Sequence, residues 1–291
     1  MASYSDHDEL QAHNQAWWEQ NPMTYDWTGT LNLTPGTPEF FAAIDERFFR
    51  SSAPFGHPTY PAGPPFARQV DYDSVRGKRV LEIGCGAGGM AAAFAREGAL
   101  ITAIDITQTA VEFTRRRIEI LGLSGDIRQM DAERLDFPDN YFDRVWSWGV
   151  VHHSASMETI IQEIHRVLKL DSKAQVMIYH RQSLRNWILA AWGQGIVRGK
   201  FLTMPYDEIL RSVTDGYIAR HITVADAHRY FAAFRSVRTE LTDLADLSFL
   251  PGNVQAEKYL VGRVIPRALK RRWDDWLMKR FGWFLFIEAV K

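Results

Sequence analysis

The run Val80-Leu81-Glu82-Ile83-Gly84-Cys85-Gly86-Ala87-Gly88-Gly89 constrains this chain more than any other stretch of it. An apolar strand pattern carrying one acid breaks into a glycine-dense turn, and helix-forming sequence from Met90 to Arg96 follows at once. Glycine there lets the backbone reverse and lets a ligand approach with no Cβ in its way. A second apolar run, Leu100 to Ile104, ends at Asp105, about 20 residues on, where nucleotide sites keep a carboxylate for ribose hydroxyls. The segment reads as the first strand–helix–strand unit of a nucleotide-type cofactor site.

A dinucleotide site needs Gly-x-Gly-x-x-Gly, so that a pyrophosphate rests on the helix N-terminus. The spacing here is Gly-x-Gly-x-Gly-Gly, and Glu82 stands just before it. A carboxylate in that place repels a pyrophosphate and suits a ligand carrying an ammonium and a sulfonium. Further segments follow in order: Asp131-Ala132-Glu133 after a short strand, Phe142 to His153, and Glu163 to Lys169 closing a helix. Together, over roughly residues 78 to 180, they resemble the motif series of class I S-adenosylmethionine-dependent methyltransferases. The similarity is to the small-molecule branch that includes quinone-biosynthesis and natural-product enzymes. A nicotinamide dehydrogenase is the competing reading. The branch usually carries a Pro-Gly-Gly turn after the fourth helix; Lys169-Leu170-Asp171-Ser172-Lys173 stands here instead.

The resemblance implies a cofactor, S-adenosyl-L-methionine, and a set of residues for it. Backbone amides of Gly84, Cys85, Gly86 and Gly88 approach its methionine part, with Glu82 near the ammonium. Asp105 holds both ribose hydroxyls and is followed by Ile106. Asp131 accepts from the adenine amine, and Ala132 offers a backbone amide to the ring. Trp148 stacks on adenine or acceptor, or else fills the core. Methyl transfer is an in-line displacement in which the protein chiefly aligns the acceptor. The expected acceptor is a small organic molecule, methylated on a hydroxyl oxygen, with nitrogen and then carbon as alternatives. A non-catalytic protein holding the cofactor or its demethylated product is a rival from another class.

Alternating apolar strands and helices from Lys78 predict a Rossmann-like α/β fold with a seven-stranded, mostly parallel sheet and helices on both faces. Strands are expected at Arg79–Ile83, Leu100–Asp105, Asp126–Gln129, Arg144–Ser147 and Gln175–Tyr179, then Val237–Leu244 and Trp283–Val290. By resemblance the last inserts antiparallel beside the sixth. Helices are expected near Gly89–Glu97, Thr107–Leu121 and Met157–Leu168. Residues 1–70 read as an aromatic-rich helical cap, 71–183 as the cofactor core, and 184–291 as helical substrate insertions with the last two strands. The stretch 53–65, dense in proline and glycine, reads as a linker. In 184–230 the residues Trp187, Ile188, Ala191, Trp192 and Ile196 mark an apolar helix face.

Right-handed crossovers bring all the parallel strand ends to one edge, where ligands bind. Two histidines there are candidate bases for a hydroxyl acceptor: His153, after the fourth strand, and His180, after the fifth. His152 is a weaker candidate for touching the acceptor. Arg181 and Arg185 suit a carboxylate or phosphate on the acceptor, or plain surface ion pairs. Aromatics from Trp17 to Trp27 suggest a lid, with Tyr25 and Trp27 at its tip.

Composition excludes several classes. A net charge of −1 argues against a nucleic-acid partner. The single cysteine, Cys85, precludes an internal disulfide and fits a reducing, cytoplasmic setting. No apolar run is long enough to cross a membrane, and no metal cluster is expected. The basic amphipathic stretch Lys258–Arg280 reads as a packed helix with a solvated face rather than a membrane-lying one. The oligomeric state is left open.

Overall fold

The computed structural model describes residues 7–26, 31–51, 65–242 and 276–291. Trp27, nearly all of the proline- and glycine-rich linker and residues 258–275 of the basic stretch lie outside these described residues.

Seven strands form one sheet: β1 (Arg79–Ile83), β2 (Leu100–Asp105), β3 (Asp126–Gln129), β4 (Phe142–Trp148), β5 (Leu168–Tyr179), β6 (Ser236–Thr242) and β7 (Phe284–Val290). Their order is β3-β2-β1-β4-β5-β7-β6, with β7 antiparallel to both neighbours and the rest parallel. The sequence expectation for the sheet holds.

One difference is instructive. β5 begins at Leu168, directly after the preceding helix, rather than at Gln175. Asp171 takes φ +61°, and its amide donates to the carbonyl of Lys291 at 3.1 Å. The residues read as a turn are therefore an irregular strand start, held by the C-terminal residue.

Period-two alternation along the strands sends residues to two cores. Leu81, Ile83 and Val145 face helix α5 (Met157–Val167) and helix α7 (Val224–Tyr230). Val80, Ile101 and Trp146 face helix α3 (Gly89–Arg96) and helix α4 (Gln108–Ile120). The stripe of α5, Met157, Ile160, Ile161, Ile164 and Val167, is fully buried, and each such side chain contributes about 1.5–3 kcal/mol. Caps fix where the helices start. Thr107 accepts from the Ala110 amide and Ser156 from the Thr159 amide, while Thr223 and Asp226 form a reciprocal capping box.

Two N-terminal helices, α1 (His7–Gln20) and α2 (Pro38–Ser51), rest on this core. Arg117, buried in α4, bonds Asp45 at 2.8 Å and the Phe41 carbonyl at 3.3 Å, pinning α2. After β5 comes a wide helix with i→i+5 bonding, Asn186–Val197, and then the short helix α6 (Tyr206–Arg211).

Candidate cofactor and acceptor site

The glycine turn after β1 is built as a cradle. Gly84, Gly86 and Gly88 all take positive φ, at +78°, +50° and +76°. A Cβ on Gly84 would lie 2.1 Å from Val150, whereas one on Gly86 would meet nothing within 4 Å. Gly84 is thus demanded by packing, and Gly86 faces open space.

The turn's amides are largely used inside the protein. Those of Gly84 and Cys85 donate to the Ile104 carbonyl at 2.8 and 3.0 Å, and that of Gly88 to Cys85 at 2.8 Å. The Gly86 amide donates to Asp105 at 3.1 Å. The turn is thus fixed in advance by its own hydrogen bonds, and its glycines leave room for close approach. Cys85 is buried, and burial pushes its thiol pKa up, so it acts as a small turn residue.

Glu82 supplies the charge. It is buried, and its Oε2 has no hydrogen-bond partner among the described residues. Burial and the adjacent Asp105 carboxylate push its pKa well up, against the Ala91 amide and the Arg117 charge. An orphaned acidic oxygen beside an open glycine turn fits a cationic group of a ligand.

Asp105 takes the amide and hydroxyl of Thr107 at 3.0 and 2.8 Å besides the Gly86 amide. Burial raises its pKa, and these bonds oppose the rise. It therefore braces the start of α4 and keeps lone-pair capacity to spare.

Asp131 differs from expectation. The Gln11 side-chain amide of α1 donates to both its oxygens, each at 3.0 Å. The Glu133 amide adds a third bond at 2.9 Å. The carboxylate expected to receive the adenine amine is thus engaged by a primary amide of the same donor type. Ala132 beside it is buried. One turn along α1, Gln15 donates to the Ile106 carbonyl at 2.9 Å. One turn further, Glu19 accepts from the amides of Gln108 and Thr109 at 2.8 and 2.9 Å. Residues 11, 15 and 19 form a single polar stripe that latches α1 across the strand ends.

Trp148 stacks its ring on Trp146 at 6.1 Å and packs on Phe66 at 4.6 Å and Phe284 at 5.6 Å, at the edge of the aromatic core.

Beyond β4 and β5 lies a cluster of buried polar and aromatic side chains. The Nδ1 of His153 bonds the Ile218 carbonyl. A carbonyl only accepts, so the proton sits on Nδ1 and Nε2 carries a lone pair. That Nε2 is buried and has no partner among the described residues. Burial lowers the His153 pKa, while Asp215 and the Ile218 carbonyl oppose the shift. Trp18 of α1 meets the imidazole edge-on at 5.0 Å. His152 is fully buried, 4.1 Å from the Tyr179 ring, and desolvation holds it neutral. The Tyr179 hydroxyl donates to Asp215 at 3.2 Å, and its ring stacks on Trp283 at 4.6 Å.

Tyr25 joins the two halves. It holds a left-handed backbone, φ +56°. Its ring lies 5.1 Å from that of Phe48, and burial, then the Asp215 and Glu82 charges, push its hydroxyl pKa up.

Other expected residues are placed elsewhere. His180 donates its Nδ1 proton to the Gly282 carbonyl at 3.0 Å, and its side chain leaves β5 opposite to Tyr179. Arg181 pairs with Asp207. Arg185 donates to the Val213 carbonyl at 3.0 Å and lies over the Trp283 ring. Both arginines thus have partners within the protein. Asp215 escaped sequence reading because it sits in a turn of an insertion with no motif. The 11/15/19 stripe was readable as spacing, but it looks like an ordinary solvated helix face.

Residues 81–174 match the model of a family described as a methyltransferase domain. A fatty-acid O-methyltransferase of Mycolicibacterium smegmatis is 41% identical over 105 residues, 35% of this chain and 36% of that protein. A ubiquinone biosynthesis O-methyltransferase of Actinobacillus pleuropneumoniae is 38% identical over 102 residues, 33% of this chain and 43% of its own length. A phosphatidylethanolamine N-methyltransferase of Cereibacter sphaeroides is 35% identical over 107 residues, 36% of this chain and 52% of that protein. The match thus spans about half or less of each of these relatives. A solved putative methyltransferase, in complex with the Haloferax volcanii Trm112 activator, covers 86% of this chain and 92% of its own. Its TM-score is 0.53 at 14% identity, a likeness of fold.

Proposed function

As the chain belongs to the class I S-adenosylmethionine-dependent methyltransferases, we propose that it methylates a hydroxyl oxygen of a small, largely apolar acceptor, with His153 as the base. S-adenosylmethionine, when bound, supplies an electrophilic methyl carbon on a sulfonium. Glu82 holds the ammonium, Asp105 the ribose hydroxyls, and Ala132 the adenine ring. Gln11 yields Asp131 as the cofactor enters, so α1 acts as a lid that opens and recloses.

The observation that carries this reading is the orphaned Nε2 of His153. The Nδ1 bond to Ile218 leaves the Nε2 lone pair unused within the protein, and in this reading it takes the acceptor's hydroxyl proton. Trp18, Tyr25 and Tyr179 supply apolar walls that exclude water. Apolar acceptors also agree with the relatives, whose names specify a fatty acid, a ubiquinone precursor pathway and a phospholipid. His180, tied to Gly282, is assigned a structural role. One observation favours an amine acceptor as the second reading: Asp215 sits among aromatic rings, an environment that holds ammonium groups. A cytoplasmic site of action fits the lone reduced, buried cysteine.

Labelled methyl transfer to a panel of apolar alcohols, phenols and amines tests the proposal. His153→Ala should lower kcat about 10²- to 10⁴-fold while leaving cofactor affinity intact. The acid limb of the wild-type kcat profile should lie below the ordinary histidine value, because burial depresses the base. Unchanged turnover in the variant, or transfer to amines alone, would rule out the oxygen reading.

A further inference from the structure

The insertion after β5 is turned inside out. Its wide helix buries Asn186, Ala190 and Gly195, and Ala190 packs against Ile209 and Leu210 of α6. Opposite, Trp187, Trp192 and Ile196 are 54%, 60% and 59% exposed. Their spacings, five and then four residues, match the turn of an i→i+5 helix, so they share a face. The apolar face expected from the sequence is therefore real, but it points to solvent.

The chain after the helix extends the patch. Phe201 folds back so closely that a Cβ on Gly195 would lie 2.2 Å from its ring, and Leu202 is 90% exposed. Large side chains at such exposure present several hundred Å² of apolar surface in one place, which monomeric proteins rarely leave without a partner.

Charge identifies the partner. The exposed part of the helix and the turn after it carry Arg198 and Lys200, with no acid between residues 182 and 206. Lys279 and Arg280 precede Phe281, whose ring lies 6.2 Å from that of Trp187. Tryptophan and aliphatic side chains flanked by cations match the interface of an anionic bilayer. Indoles sit between acyl chains and headgroups there, while the cations pair with lipid phosphates. A second copy of the chain would bring like charges together, which disfavours self-association.

We infer that the helix and turn at 186–202 dock this protein peripherally on an anionic lipid surface. The inference stands apart from the methyl-transfer reading, since it needs neither cofactor nor acceptor.

Flotation of the purified full chain with phosphatidylcholine vesicles, with and without phosphatidylglycerol, tests it. The wild type should float with the anionic vesicles and be released by high salt. The double variant Trp192→Ser/Ile196→Ser should lose about tenfold or more of its vesicle partition, with an unchanged melting temperature because both side chains are exposed. Arg198→Glu/Lys200→Glu should shift binding in the same direction only on anionic vesicles. Absence of wild-type flotation would overturn the inference, as would equal flotation of the Trp192/Ile196 variant. Light scattering that shows a dimer dissolved by that variant, without vesicle binding, would overturn it in favour of self-association.

Discussion

Glu82 concentrates the conflict between stability and binding in one side chain. Its buried, unpartnered Oε2 costs the folded protein about 1–3 kcal/mol. Its carboxyl pKa is raised in the folded state by burial and by Asp105. Such a group favours folding below its unfolded value, and that contribution is lost as pH rises through the raised folded value. The penalty therefore grows as pH rises above the ordinary carboxylate value. Glu82→Gln should raise the ligand-free melting temperature, by about 2–4 °C for each kcal/mol relieved. The same change should weaken S-adenosylhomocysteine binding, whose ammonium loses its counter-charge. Calorimetry would show wild-type affinity falling as pH drops through the raised Glu82 value, and the variant showing no such limb. A destabilised variant would refute the account. Glu82 and Asp105 were legible in the sequence because strand, turn and strand fix their places through backbone geometry. Asp215 and Tyr179 were not, because they meet only through an insertion whose path no local pattern encodes.

At the scale of elements, periodicity revealed what depends on a single repeating contact. The strands and α3, α4 and α5 bury regular stripes, so their limits could be read closely. The start of β5 could not, because Asp171 and Lys291 create it by pairing distant parts of the chain. The α1 latch was hidden for a related reason: glutamine and glutamate at one-turn spacing are as common on solvated helices as on docked ones. The insertion helix misled differently, since amphipathicity says which residues share a face but not which face is covered. Within the glycine turn the two roles of glycine separate cleanly. Gly84→Ala forces a Cβ to 2.1 Å from Val150 at φ +78°, and should cost about 3 kcal/mol or more. Gly86→Ala meets no protein atom within 4 Å, so it should cost about 1–2 kcal/mol, the strain of its left-handed backbone alone. It should nonetheless weaken cofactor binding about tenfold or more, because the new methyl enters the space a ligand approaches. Thermal unfolding paired with ligand titration separates the two. Equal losses of stability would contradict the cradle as described.

For the molecule as a whole, buried histidines make stability depend on acidity. His152, His153 and His180 are buried with pKa values lowered by desolvation, and His221 is lowered to about 3. Each regains an ordinary value near 6.5 in the unfolded chain. Below that value the unfolded state binds protons that the folded state refuses, so stability falls as pH drops from about 6.5 toward the depressed values. One such histidine contributes a slope of about 1.4 kcal/mol per pH unit once the unfolded form is fully protonated. Glu82 and Asp105 act in the opposite sense, because their raised values let the folded state take up protons first, and they offset part of the slope. With four histidines against two acids, unfolding near pH 5 should take up net protons, seen as a denaturation midpoint that declines steadily between pH 6.5 and 5. His221→Phe should flatten that decline, since it removes one group lowered to about 3 while leaving Glu82, Asp105 and His153 in place. A midpoint independent of pH across this range would mean that the histidines reach water in the folded protein. The surroundings of the His153 Nε2 would then lack the dryness that a buried base requires.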